Sequence, residues 1–145
     1  MTGASAKISV QGAGKRYLSA RGNVVEALTP VDMEIAAGEF VTVVGPSGCG
    51  KSTLLNMIAG FEKTTEGRIL LDGRPITGPG PERGVVFQEY GLFPWLTVSG
   101  NVGFGPRSIG LSRREVATRI DATLEMVGLV AARDQYPHEL SGGMR

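Results

Sequence analysis

Residues 45–52 read GPSGCGKS, and they fit the pattern G-x-x-x-x-G-K-[ST]. Each residue type has a physical reason. Gly45, Gly48 and Gly50 let the backbone turn without a Cβ in the way, so that successive N–H groups face a common centre where an anion can sit. Lys51 adds a flexible point charge suited to the outer phosphates of a nucleotide. The Ser52 hydroxyl is a hard oxygen donor of the kind Mg²⁺ prefers. Pro46, Ser47, Cys49 and Thr53 complete the stretch as contact positions, and Cys49 needs no role beyond being small enough to fit. The context predicts that the loop is real. Ahead of it, residues 40–44 (FVTVV) form a β-branched run between glycines, which predicts a buried strand. Behind it, a helix starts near Lys51, carries Leu54, Leu55 and Ile58 on one face, and stops at Gly60. Its positive end then points at the same anion.

Outward from the loop, KISVQGAGKRYL (residues 7–18) and VVEALTPVDMEI (24–35) read as strands, the second interrupted by Pro30. EGRILLDGRPI (66–76) reads as two short strands about the turn signal Asp72-Gly73. RGVVFQ (83–88) predicts a third buried strand ending at Gln88. Beyond it, residues 89–111 look irregular, rich in glycine and aromatics. SRREVATRIDATLEMVGL (112–129) is the clearest helix, with a Ser112/Glu115 capping-box pattern, a stripe of Val116, Ile120, Leu124 and Val127, and Gly128 as its stop. The expected division is residues 1–88, β-rich with one helix, and residues 89–145, a small helical subdomain.

Composition sets the bounds. The 145 residues are 41% hydrophobic, enough for a core, and carry a formal net charge of +1, which gives no global pull toward nucleic acid or an acidic surface. One cysteine excludes an internal disulfide framework. Neither a signal-type apolar core nor a membrane-length apolar run is present, so the expected location is cytoplasmic, with any membrane role supplied by a partner. Glycine, at 22 residues, is the compositional excess, and it clusters in turns and motifs with no fixed period.

Three separated stretches, GPSGCGKST (45–53), GVVFQEYGLFPWLTV (84–98) and HELSGGM (138–144), stand in the order found in the ATP-binding subunit of ABC transporters, and the chain resembles that family along nearly its whole length. The resemblance implies an α/β fold: a P-loop ATPase core with an antiparallel β subdomain, plus a small α-helical subdomain. It implies ATP and Mg²⁺ as cofactors and ATP hydrolysis coupled to import. It places Tyr17 where an aromatic stacks on adenine. Gln88 falls where a glutamine reaches Mg²⁺ or the attacking water, so Lys51 and Gln88 become the catalytic candidates and Ser52 and Gln88 the metal contacts. Ser141, Gly142 and Gly143 match the signature that caps the γ-phosphate held by a second ATP-binding subunit across a dimer. Phe93, Pro94 and Trp95 lie in the region that faces membrane-spanning permease subunits, which implies a peripheral location on the cytoplasmic face of the cell membrane. Met144 stands where glutamine is the commoner residue, and His138 does not match the family's switch histidine. GPGPERGVVFQ and LFPWLTV look most like subunits of nitrate, sulfonate and taurine importers.

The family's apolar strand ending in Asp-Glu, with its catalytic carboxylate, has no counterpart in these residues, nor has the switch histidine. The expectation is a chain cut at the signature motif, incomplete at its C-terminus, binding Mg·ATP weakly without turnover. The alternative is a non-catalytic nucleotide-binding or interaction module that pairs with an intact homologue.

Overall fold

The computed structural model describes residues 6–145, which form two compact units, one ending at Val85 and the other Val86–Arg145. The first holds a four-stranded antiparallel sheet. Strands β1 (Ile8–Leu18), β2 (Val24–Ile35), β3 (Glu66–Leu71) and β4 (Arg74–Pro75) lie in the order β2-β1-β3-β4. Val10 pairs with Met33 on one side and Ile69 on the other, so one apolar row crosses three strands. Helix α1 (Lys51–Ala59) covers this face, and Val10, Ala13, Leu28, Leu54, Met57 and Ile69 form the core. Met57 is nearly sealed while Leu55 is exposed. The buried side of α1 is therefore the Leu54–Met57 side, with Ile58 half-buried, and not a Leu54–Leu55–Ile58 face. At 100° per residue Leu55 lies a quarter-turn away from the sheet.

Pro30 does not interrupt β2. The strand is at the sheet edge, where a missing N–H leaves no ladder bond unmade. The register steps from Ala13↔Val31 to Lys15↔Leu28, so Thr29 and Pro30 together oppose the single Gly14, a bulge that takes up the proline. The β3–β4 hairpin turns at Asp72 and Gly73, both with positive φ (49° and 74°), the signature of a two-residue type I′ turn.

Two expected strands are absent. Residues 40–44 and 84–88 lie in no ladder, with Gln88 at a bend, and their apolar side chains face solvent, with Phe40 92% and Val86 98% exposed. A β-branched run specifies that a segment can be a strand. The strand itself exists only when a neighbour takes up its N–H and C=O groups. Among the described residues all strand pairing lies within the β2-β1-β3-β4 sheet.

The second unit is helical. Helix α4 (Arg113–Met126) begins as its sequence predicts: the Ser112 hydroxyl accepts from the Glu115 N–H and the Glu115 carboxylate accepts from the Ser112 N–H at 2.9 Å. Val116, Ile120 and Leu124 are buried, while Val127, at the C-terminal cap, is exposed. The stretch expected to be irregular holds two short helices, α2 (Val98–Val102) and α3 (Phe104–Ser108). Tertiary contact overrides their poor glycine-rich propensity. The Thr97 hydroxyl caps α2, Val98 joins Val116, Ile120, Leu124, Ala132 and Leu140 in the core, and the Val98 and Ser99 N–H groups donate to the Gln135 and Arg133 carbonyls. Three single 3₁₀ turns follow, Val130–Ala132, Pro137–Glu139 and Gly142–Met144.

Candidate nucleotide-binding site

In the first unit the glycine loop leads straight into α1. Gly48 and Gly50 both take left-handed backbone (φ 83° and 93°), and Gly50 is the N-terminal cap of the helix. The two glycines serve different ends. A Cβ at Gly48 would meet open space, whereas one at Gly50 would stand 2.7 Å from both the Ala27 carbonyl oxygen and Leu28 Cδ1. Gly50 therefore seats the loop against β2, and Gly48 faces open space. Lys51 folds back across the loop, its ammonium donating to the Gly45 and Pro46 carbonyls at 2.9 and 2.7 Å and lying 3.5 Å from Cys49 Sγ. The only cation of the loop is thus held on the loop's own carbonyls. Ser52 is exposed in the first turn of α1, beside half-buried Thr53, and Pro46, Ser47 and Cys49 are exposed on the loop.

Tyr17 lies near the end of β1, paired with Val25 and partly exposed. The Lys15 ammonium sits 4.9 Å from the centroid of its ring. Lys15 is itself well covered, its side chain 12% exposed, bonded to the Glu62 carboxylate and the Lys63 carbonyl, both at 2.8 Å. One residue ties this tyrosine to the glycine loop: Leu28 pairs with Lys15 and also abuts Gly50. Sequence reading singled out Tyr17 and passed over Lys15, whose partners lie 47 and 48 residues away and leave no local signal.

The second unit carries the remaining candidates. Gln88 is exposed at a bend. Ser141, Gly142 and Gly143 are exposed, with Ser141 capping a single 3₁₀ turn in which the Met144 N–H donates to the Ser141 carbonyl. The segment after Gln88 reaches this turn: Arg145 lies over the Tyr90 ring at 5.9 Å while its Nε donates to the Leu140 carbonyl, and a shallow pocket of about 340 Å³ opens beside Tyr90, Pro137 and Arg145. His138 is exposed and stacks on Tyr136.

Phe93 and Trp95 do not fold under their loop as a pair. Phe93 is half-buried against Phe104 at 4.4 Å between centroids, Trp95 is 70% exposed, and Pro94 is exposed between them. Asn101 holds the loop in shape. Its Oδ1 accepts from the Phe93 N–H at 2.8 Å, and its Nδ2 donates toward the Phe93, Leu96 and Thr97 carbonyls at 3.0–3.1 Å. An asparagine inside VSGNV carries no sequence mark of that role.

Among the described residues no group of three or more His, Cys, Asp or Glu side chains converges to hold a metal. Nor is any helix among them long and apolar enough to cross a membrane.

The chain is similar to known proteins in sequence and in fold. The spermidine/putrescine import ATP-binding protein of Frankia alni is 50% identical over 146 residues, 99% of this chain and 31% of that protein. The nitrate import ATP-binding protein of Synechocystis is 50% identical over 129 residues, 89% of this chain and 48% of that protein. The chain thus spans a third to a half of the length of these curated relatives. A dimeric ATP-binding cassette solved in a post-hydrolysis state with ADP and Pi superposes with a TM-score of 0.80 at 31% identity, covering 94% of this chain and 64% of that one. The fold is therefore that of a P-loop ATPase cassette: one unit with an antiparallel sheet and a helix carrying the glycine loop, and a second, helical unit. Residues 28–145 match the ABC transporter family, and the chain belongs to it, as part of an ATP-binding domain.

Proposed function

We propose that this chain binds Mg·ATP as part of an ATP-binding subunit that energises an ABC importer. The observation that carries the reading is the glycine loop itself. Gly48 leaves room for a phosphate, Gly50 seats the loop on β2, and the Lys51 ammonium waits at the mouth on two backbone carbonyls that a phosphate can displace. Gly45, Pro46, Ser47, Gly48, Cys49 and Gly50 line the phosphates, Lys51 offsets their charge, and Ser52 and Thr53 stand at the metal side. Tyr17 stacks on adenine, Gln88 contributes to the metal and the attacking water, and Ser141, Gly142 and Gly143 cap the ATP of a second subunit. Their exposure on a tight turn suits a contact made across a dimer.

The permease contact falls on Phe93, Pro94 and Trp95, with Pro94 and Trp95 exposed beside half-buried Phe93 on a loop that Asn101 braces. It would hold the subunit peripherally on the cytoplasmic face of the membrane. The solute is nitrate, sulfonate or taurine, a reading supported by the likeness to a nitrate import protein. The equal identity to a polyamine import protein argues that these residues serve the nucleotide and carry little information about the solute. Deletion of the gene is expected to abolish uptake of labelled nitrate or taurine and to spare spermidine; the reverse pattern would refute the assignment.

These residues contain no carboxylate placed as a general base for hydrolysis, so the chain by itself is expected to bind Mg·ATP weakly and not turn it over. Equilibrium dialysis should detect ATP retained by the chain and lost in Lys51→Ala. Phosphate release well above that of Lys51→Ala would disprove the absence of turnover.

A further inference from the structure

We infer that Lys15 is a positioning residue for the base of the nucleotide, acting through Tyr17; the inference rests on the reading that Tyr17 stacks on adenine. Lys15 and Tyr17 are two apart on β1 and so share a face of the strand. The ammonium stands 4.9 Å from the ring centroid, within the range where a cation is held by the negative face of an aromatic ring. It is not a wandering surface lysine. The side chain is 12% exposed, and its charge is fixed by the Glu62 carboxylate and the Lys63 carbonyl at 2.8 Å each. Glu62 and Lys63 follow directly on the turn that ends α1, the helix whose first residues are the phosphate-binding Lys51 and Ser52. The base platform is thereby tied to both ends of that helix: through Lys15 to the segment after it, and through Leu28, which pairs with Lys15 and abuts Gly50, to its start.

This arrangement does two things to the tyrosine. It fixes the ring against rotation from one side while Tyr17 stays 39% exposed, so less side-chain freedom is lost when adenine arrives. It also draws π-electron density toward the ammonium, which lessens the repulsion between the opposite face and an electron-rich purine. Tyr17 lies two residues, about 7 Å, along the strand from the Lys15–Leu28 pair that meets the glycine loop, so the platform's height above the phosphate site is set by the same contact.

The test compares Mg·ATP with inorganic Mg·triphosphate, which lacks the base, on the chain and on Lys15→Met, Lys15→Arg, Tyr17→Ala and Lys15→Met/Tyr17→Ala. Lys15→Met should weaken ATP by about 3- to 30-fold, the span of a cation–π contact, and leave triphosphate unchanged. Lys15→Arg should retain most of the affinity. The double variant should bind ATP no more weakly than Tyr17→Ala alone. Equal weakening of ATP and triphosphate by Lys15→Met would show a merely structural lysine and overturn the inference, as would additive losses in the double variant. If Tyr17→Ala leaves the ATP-to-triphosphate ratio unchanged, the stacking reading itself fails, and the inference with it. Should Lys15→Met not fold by circular dichroism, Glu62→Gln decides: it keeps the ammonium but loosens its anchor, and it must weaken ATP while sparing triphosphate.

Discussion

Gly48 and Gly50 have nearly the same backbone conformation and opposite surroundings, so replacing each by alanine separates strain from contact. Both alanines would be forced into left-handed φ, a penalty of about 1–2 kcal/mol, partly offset by about 0.4–1 kcal/mol from the stiffer unfolded chain. For Gly48→Ala that is the whole account, because its Cβ meets nothing within 4 Å. For Gly50→Ala the methyl arrives 2.7 Å from the Ala27 carbonyl oxygen and 2.7 Å from Leu28 Cδ1. Leu28 is a buried core residue whose strand is paired with β1, so neither neighbour yields easily. Overpacking of this kind adds about 1–3 kcal/mol. Gly48→Ala should therefore destabilise by about 1 kcal/mol and Gly50→Ala by about 2–4 kcal/mol. In a unit of this size each kcal/mol corresponds to roughly 4–8 °C in Tm.

Thermal unfolding by far-UV circular dichroism reads the stability order. ATP binding should reverse it in a specific way. The Gly48 methyl occupies the space proposed for a phosphate, so Gly48→Ala should lose more affinity than its small stability loss explains. Gly45→Ala is the stability control: its φ is not left-handed, and the one close contact of its Cβ would be Cys49 Sγ, a side-chain atom that can rotate away, so it should leave Tm near the parent value. Equal Tm losses for the Gly48 and Gly50 variants, or a larger loss for Gly48, would refute the reasoning that the loop is seated on β2 through Gly50.

Ser112→Ala should destabilise the helical unit by about 1 kcal/mol through loss of the α4 cap, measured as a urea midpoint shift. The same cap makes a pH prediction. The Ser112 hydroxyl and N–H bonds, aided by Arg119, hold the Glu115 carboxyl below its ordinary value of 4.5. Its contribution is therefore complete above about that pH and lost as pH falls through the depressed value. The stability difference between the parent chain and Ser112→Ala should shrink in acid, and a difference constant from pH 7 to 3 would contradict it. Asn101→Ala should cost about 1–3 kcal/mol, since several backbone groups lose their shared partner. Trp95, the only tryptophan, provides the fluorescence signal. Asn101→Asp keeps the acceptor but turns a carboxylate toward three carbonyls, so a parent-like midpoint for it would show that the network does not hold the loop.

What the sequence made legible follows from how local each cause is. The α4 cap needs four consecutive residues, the β3–β4 turn needs two, and the glycine loop is a run of contiguous backbone. The cap and the turn form as read, and the loop leads into its helix at Lys51 as expected. Residues 40–44 and 84–88 were misread because β-branched composition encodes readiness to pair and is silent about the partner. Pro30 was misread for the converse reason: its rule bars central strands, and only topology shows that β2 is an edge. Lys15 and Asn101 were missed because neither belongs to a motif. One acts through groups nearly fifty residues distant, the other through the backbone of its own loop.

The two misread runs bear on binding itself. The glycine loop is anchored on its far side, where Gly50 meets β2 and α1 begins, but on its near side it emerges from residues 40–44, which are solvent-facing and lie in no ladder. Gln88 likewise ends a stretch, 84–88, of the same kind. Backbone order costs roughly 1–2 kcal/mol per residue fixed. If nucleotide must fix even the five residues leading into the loop, at least roughly 5 kcal/mol is withdrawn from the gross interaction, a factor of about 10³–10⁴ in Kd. This is a physical ground for weak ATP binding that is independent of any missing catalytic group. It predicts that ATP binding raises amide-exchange protection in residues 40–44 as well as in the loop. Protection confined to residues 45–53 would mean that the near side is already ordered and that weak binding needs another cause.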